Sequence, residues 1–133
     1  MSSKNQVESN MKKVLITDDS ITAIRLLTFH LNEYKNSKFD ILEAKDGAEA
    51  LFMLRDNDVD IVFLDLMMPI VDGYSVASFI YDRKLKVEIV VIASSLDKNA
   101  IVTLGKLGVK NFLPKPIDKE RMKTILDKLI LSS

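Results

Sequence analysis

The sequence predicts a three-layer α/β domain built on a five-stranded parallel sheet, and three observations carry that prediction. From Lys12 onward, short apolar runs rich in Val, Ile and Phe alternate with longer segments of helical spacing, the pattern of repeated βα units. The runs DIVFL (60–64) and EIVVIA (88–93) are almost continuously apolar, as central parallel strands covered on both faces must be. The chain has 133 residues, 47% of them hydrophobic, enough for one core and too few for two ordinary domains. Right-handed crossovers between parallel strands then place helices on both faces of the sheet.

In chain order, the first strand is expected over Val14 to Thr17, where four β-leaning residues run into a pair of aspartates. A helix over Ser20 to Tyr34 follows, with Ile21, Ile24, Leu27 and Leu31 on one stripe. The second unit pairs a strand over Phe39 to Ala44 with a helix over Ala48 to Asp56. The third pairs Asp60 to Leu64 with Tyr74 to Arg83, and the fourth pairs Glu88 to Ala93 with Lys98 to Leu107. The fifth joins Asn111 to Leu113 to a helix over Lys119 to Leu131, whose stripe is Met122, Ile125, Leu126 and Leu129. Gly47, Gly73 and Gly108 fall at the expected turns and helix ends. Val102, Lys106, Lys119, Ile130 and Leu131 lie off the predicted core stripes and are expected at the surface, either as a partner surface near Phe112 or as scattered exposed residues.

Composition narrows the function. Nineteen basic residues balance nineteen acidic ones, so no global field draws the chain to nucleic acid or an anionic membrane. The absence of cysteine removes disulfides, thiolate catalysis and cysteine-ligated metal chemistry, and fits a reducing cytoplasm. Residues 1–11 carry neither a secretory apolar run nor an arginine-rich amphipathic pattern and read as a disordered arm before a single domain over 12–133. No apolar stretch approaches the roughly 20 residues that span a bilayer, so a soluble, cytoplasmic protein is expected.

In an open parallel sheet, ligands bind beyond the carboxyl ends of the strands, where strand order reverses. Polar residues close four of the five predicted strands: Asp18 and Asp19, Asp65, Ser94 and Ser95, and Lys115 after Pro114. Each like-charged carboxylate pair at about 4 Å costs on the order of 4 kcal/mol at an effective dielectric near 20. One lysine cannot neutralise three acids, so either a carboxylate takes up a proton or a cation binds. An oxygen-only ligand set without a candidate histidine suits Mg2+, which keeps several waters and accepts one or two carboxylates together with phosphate oxygens. Asp65, after the most apolar strand, is then the candidate nucleophile, because aspartate can form an acyl phosphate. Lys115 would pair with one phosphoryl oxygen and Ser94 would donate a hydrogen bond to another.

The motifs DDS after the first strand, DLMMPIVDG around Asp65, ASS after the fourth strand and LPKP after the fifth resemble the response-regulator receiver domain of two-component signalling. The likeness is closest to the stand-alone, chemotaxis-type regulators and runs from Lys12 to about Leu131. It implies a doubly wound (βα)5 flavodoxin-like fold with strand order 2-1-3-4-5; the family is among those on which the crevice rule rests, so that agreement is not independent. It implies that Asp65 accepts phosphate from a histidine kinase or phosphotransfer protein. Asp19, Asp65 and the backbone carbonyl of Met67 would bind Mg2+ directly, and Asp18 through a water. Ser94 matches the family's switch hydroxyl, Phe112 its switch aromatic, and Lys115–Pro116 its cis peptide. The segment from Ser94 to Lys115 is one residue shorter than in many relatives, which leaves Ser95 as the alternative hydroxyl. Met67 and Leu96 occupy the positions that influence acyl-phosphate hydrolysis, and neither orients a water, so slow to moderate self-dephosphorylation is expected.

The resemblance further implies a phosphoacceptor switch, not a classical enzyme, which signals by binding a downstream protein through the face of helix 4, strand 5 and helix 5. A monomer or a weak phosphorylation-dependent dimer is implied, with chemotaxis as the leading pathway. A phosphorelay intermediate is the nearest alternative. A haloacid-dehalogenase-like phosphatase also uses an aspartate, Mg2+, a hydroxyl and a lysine, but wants a second acid where this chain has Met67. A nucleotide or flavin carrier would need a phosphate-cradling loop after strand one, where DDSI stands. His30, late in an amphipathic helix, reads as a partly solvated helix residue.

Overall fold

Five strands, β1 (Lys12–Thr17), β2 (Phe39–Ala44), β3 (Ile61–Asp65), β4 (Glu88–Ala93) and β5 (Asn111–Pro114), alternate with five helices, α1 (Ile21–Glu33), α2 (Gly47–Asp56), α3 (Gly73–Asp82), α4 (Lys98–Lys106) and α5 (Lys119–Leu131). The structure, a computed structural model, describes residues 11–131. The expected arm therefore lies outside the described residues except for Met11. All strand pairs are parallel and the order is β2-β1-β3-β4-β5. Order reverses between β1 and β3, so the carboxyl ends of these two strands frame the crevice. Among the described residues, no helix is long and apolar enough to cross a membrane.

Two cores lie on opposite faces of the sheet. Alternation along β1 sends Leu15 to one face and Val14 and Ile16 to the other. The first face is covered by Ala50 and Leu54 of α2, Val76, Ala77 and Ile80 of α3, and Leu104 of α4. The second is covered by Ile24, Leu27 and Leu31 of α1 and Met122 and Leu126 of α5. Strand β3 is buried along its whole length, as its unbroken apolar run requires.

Helix starts are fixed by side-chain caps. Ser20, Asp46, Asp72 and Asp97 each accept the backbone N–H three residues on, satisfying an amide that the helix itself leaves free. At α2, Glu49 also reaches back to the Lys45 N–H at 3.0 Å. Because Ser20 caps α1, the acid pair before it is not needed for that purpose.

Two expectations of burial are corrected, one at the core stripe and one at the surface. Ile21 is 56% exposed and off the α1 core stripe: as the first helical residue after Ser20, it stands at the carboxyl edge of the sheet, past the strand surface that buries Ile24. Ile130 is half-buried against the α1/α5 core, while Val102 and Leu131 are exposed as expected. Asp65 is the last residue of β3, and Asp60 precedes that strand. Asp60 ties itself to β1, its carboxylate accepting the Lys13 N–H at 2.8 Å and its own N–H donating to the Lys13 carbonyl.

Candidate phosphoacceptor site

Each site residue is carried by a strand end or the turn that follows it. The Asp18 N–H donates to the Ala44 carbonyl, prolonging the β1–β2 pairing by one bond and fixing the acid at the rim. Its side chain is fully buried, with Oδ1 accepting the Ser20 N–H at 2.9 Å. Asp19 is exposed. Asp65 is 4% exposed, and its Oδ1 accepts the Met67 N–H at 3.2 Å. The Lys115 N–H donates to the Ala93 carbonyl, and its peptide to Pro116 is cis. From there the ammonium reaches across the sheet to Asp65 Oδ2 at 3.4 Å and Asp18 Oδ2 at 3.3 Å.

Asp18, Asp19 and Asp65 offer one carboxylate oxygen each within 4.8 Å of one another. Burial pushes the Asp65 carboxyl above its ordinary value, the Asp18 charge adds to that, and Lys115 and the Met67 amide oppose it without cancelling it. For Lys115, burial alone would favour the neutral amine, but Asp18 and Asp65 together outweigh it and hold the ammonium above the ordinary lysine value. Asp18 Oδ2 is buried and, although beside the ammonium, accepts no aligned hydrogen bond. An orphaned acceptor, a second buried acid and a third exposed one form an oxygen-only set short of positive charge. Such a set fits a hard divalent cation that retains part of its hydration.

The acids open onto a crevice of about 730 Å³ lined by Asp19, Asp65, Met67, Ser94, Ser95 and Lys115. Both serines are exposed and both face this space. Phe112 does not line it: on β5, paired with Val91 of β4, it is half-buried against the core beneath α2, α3 and α4. Tyr74 from the first turn of α3, and Asn99 and Thr103 from the first two turns of α4, also line the crevice. They were absent from the sequence reading, and the signal for them is their place in the turns that follow site-bearing strands. His30 is half-buried, edge-on to Phe29 at 5.7 Å, and belongs to no metal-ligand cluster among the described residues.

Comparison with known proteins places this arrangement in context. The family profile described as Response regulator receiver domain matches residues 14–127. The chain is 31% identical to chemotaxis protein CheY of Listeria monocytogenes over 119 residues, covering 89% of this chain and 98% of that protein. It is 32% identical over 120 residues to the alkaline phosphatase synthesis transcriptional regulatory protein PhoP of Bacillus subtilis, covering 86% of this chain and 48% of that one. The chain thus spans about half the length of such curated relatives. Among solved structures, Vibrio cholerae chemotaxis protein CheY4 superposes with a TM-score of 0.80 at 22% identity, covering 90% of this chain and 98% of that one.

Proposed function

The chain belongs to the response regulator receiver domain family, and from that premise we propose a receiver domain whose Asp65 accepts phosphate from a histidine kinase or phosphotransfer protein. One observation carries the reading: three carboxylates meet within 4.8 Å under a lysine that contacts two of them, at the point where strand order reverses. Capping or surface solvation asks for no such convergence.

Asp19, Asp65 and the Met67 carbonyl would hold Mg2+, with Asp18 in support. When bound, that ion supplies charge neutralisation for the incoming phosphoryl oxygens. Asp65 attacks phosphorus in line; the donor's P–N bond breaks, its imidazole leaves with the electron pair, and an acyl phosphate forms on the carboxylate. Lys115, already beside Asp65, pairs with a phosphoryl oxygen. The Ser94 hydroxyl at the crevice wall, or that of Ser95, donates to another. Both serines suit this role by placement, and Ser94 is preferred from the motif.

The acyl phosphate then biases two conformers of the domain, the serine moving toward the phosphoryl group and Phe112 turning further inward, so that a partner reads the face formed by α4, β5 and α5. Exposed Ile101 and Val102 on α4 give that face apolar contacts. A chemotaxis role is favoured because the match to Listeria CheY runs nearly the full length of that protein. Met67 and Leu96 leave no polar side chain to orient an attacking water, which supports slow to moderate dephosphorylation.

Incubation with Mg2+ and phosphoramidate, followed by intact mass, tests the central step. One base-labile phosphoryl group, absent in Asp65→Asn, is expected. No adduct, or one that survives the substitution, would defeat the assignment.

A further inference from the structure

The loop between β3 and α3 holds a backbone conformation that its sequence disfavours. The Val71 N–H donates to the Pro69 carbonyl at 2.9 Å, closing a three-residue turn about Ile70, whose φ is 72°. A γ-turn with positive φ at its centre is rare and strained. A β-branched residue makes it worse, because the branches at Cβ crowd the backbone. Glycine or asparagine would take that conformation at little cost. Ile70 is also 81% exposed, so no burial offsets the strain.

Two glycines hold the loop in place. Gly47 brings the start of α2 against the Val71 backbone with no room for a Cβ beside its carbonyl, and Gly73 lies against the Asp65 and Leu66 backbone. Strain of this kind persists where the surroundings over-determine it, and it collects at functional sites.

Position gives the strain a use. Met67, 78% exposed, lines the crevice, and Ile70 stands three residues further along the same loop. Asp65 itself is only 4% exposed. In-line attack requires the donor phosphorus to come within about 3 to 3.5 Å of its carboxylate. A protein donor must therefore lay its own surface across the crevice mouth, covering the side chains that stand there. A small donor enters without touching them. Scattered exposed apolar residues need no explanation, but one held outward by an unfavourable backbone does.

Resting on the reading of Asp65 as phosphoacceptor, we propose that Ile70, with Met67, is an apolar contact for the protein that presents the phosphohistidine, and that its strained turn is retained for donor docking at a cost in stability.

The test separates strain, docking and chemistry. Ile70→Gly and Ile70→Asn relieve the backbone and remove the apolar side chain, whereas Ile70→Leu keeps an apolar side chain of similar size. Each is compared with wild type in thermal unfolding, in phosphorylation by phosphoramidate with Mg2+, and in phosphotransfer from a panel of purified four-helix phosphotransfer domains bearing phosphohistidine. Glycine and asparagine should raise the unfolding temperature by about 4 °C, leave phosphoramidate rates unchanged, and lower transfer from the best protein donor about tenfold. Leucine should keep transfer near the wild-type rate. Wild-type transfer in the glycine and asparagine variants, unchanged unfolding temperatures, or a wild-type chain that takes phosphate no faster from any panel member than from phosphoramidate would overturn the proposal. Failure of phosphoramidate to label wild type at all would instead bring down the phosphoacceptor reading, and this inference with it.

Discussion

Replacing Asp65 by asparagine should stabilise the metal-free protein. At an effective dielectric near 20, a neighbouring carboxylate oxygen no more than 4.8 Å away repels Asp65 by at least roughly 3.5 kcal/mol, and the Lys115 ammonium at 3.4 Å attracts it by roughly 5 kcal/mol. Asp19 is exposed, so solvent and salt screen its share well below that of buried Asp18. The Coulomb contributions therefore nearly cancel, and burial decides the sign. Exchanging a buried charge for an amide of the same shape then gains on the order of 1–2 kcal/mol, or about 5 °C in unfolding temperature. The pH dependence follows from the direction of the shift. Asp65 is held above its ordinary 3.8, by burial first and by Asp18 second. A carboxyl raised in the folded state contributes stability that is full below 3.8 and lost as pH rises through the folded value. Asparagine should thus show its full advantage near pH 7 and none near about pH 3. Calorimetry in EDTA reads both arms, and saturating Mg2+ should narrow the gap by stabilising wild type more. An asparagine variant no more stable than wild type at neutral pH, or a gap unchanged in acid, would refute the reasoning.

Lys115→Ala leaves Asp18 and Asp65 without their cation, so Mg2+ should bind more tightly by titration calorimetry while phosphoramidate labelling slows; weaker Mg2+ binding would contradict the charge balance described. In Gly73→Ala the new Cβ would lie 2.6 Å from the Asp65 carbonyl oxygen and 2.7 Å from Leu66 Cα, both backbone atoms. Overpacking there should cost about 1–3 kcal/mol in urea unfolding, and an unchanged midpoint would mean that the loop has room to yield. Asp127 accepts hydrogen bonds from Lys123 at 2.9 Å and the Tyr34 hydroxyl at 2.7 Å, and the two, Lys123 foremost, hold its carboxyl below the ordinary 3.8. Stability from that arrangement is present above 3.8 and lost as pH falls through the folded value. Asp127→Asn should therefore lower the unfolding temperature near pH 7 and leave it unchanged near about pH 2; an equal effect at both would exclude the charged arrangement as its source.

Strand ends were legible in the sequence because a parallel sheet buried on both faces demands unbroken apolar runs, and a charge can stand only where such a run stops. Asp18, Asp65 and Lys115 each sit at such a stop or just past it, and the sheet order brings them together. Ile21 was misplaced for the converse reason: helical periodicity records which face an apolar residue shares but not where the sheet beneath it ends. Tyr74, Asn99 and Thr103 escaped notice because their approach to the crevice depends on how α3 and α4 lie on the sheet, which no spacing along one helix encodes.

Ile70 marks a different limit. Residue preferences argue against a left-handed isoleucine, so nothing in the residue pattern announces this conformation at Ile70. The conformation becomes visible only once Gly47 and Gly73 are seen to bring α2 and α3 against the same loop, leaving the chain between Pro69 and Val71 a single tight path. Those two glycines read in the sequence as turn or helix-end residues, and they are the first residues of α2 and α3. Their second consequence, an apolar side chain held outward near the buried Asp65, comes from tertiary contact. A local preference overridden by its surroundings is thus the feature of this loop on which the proposed donor contact rests.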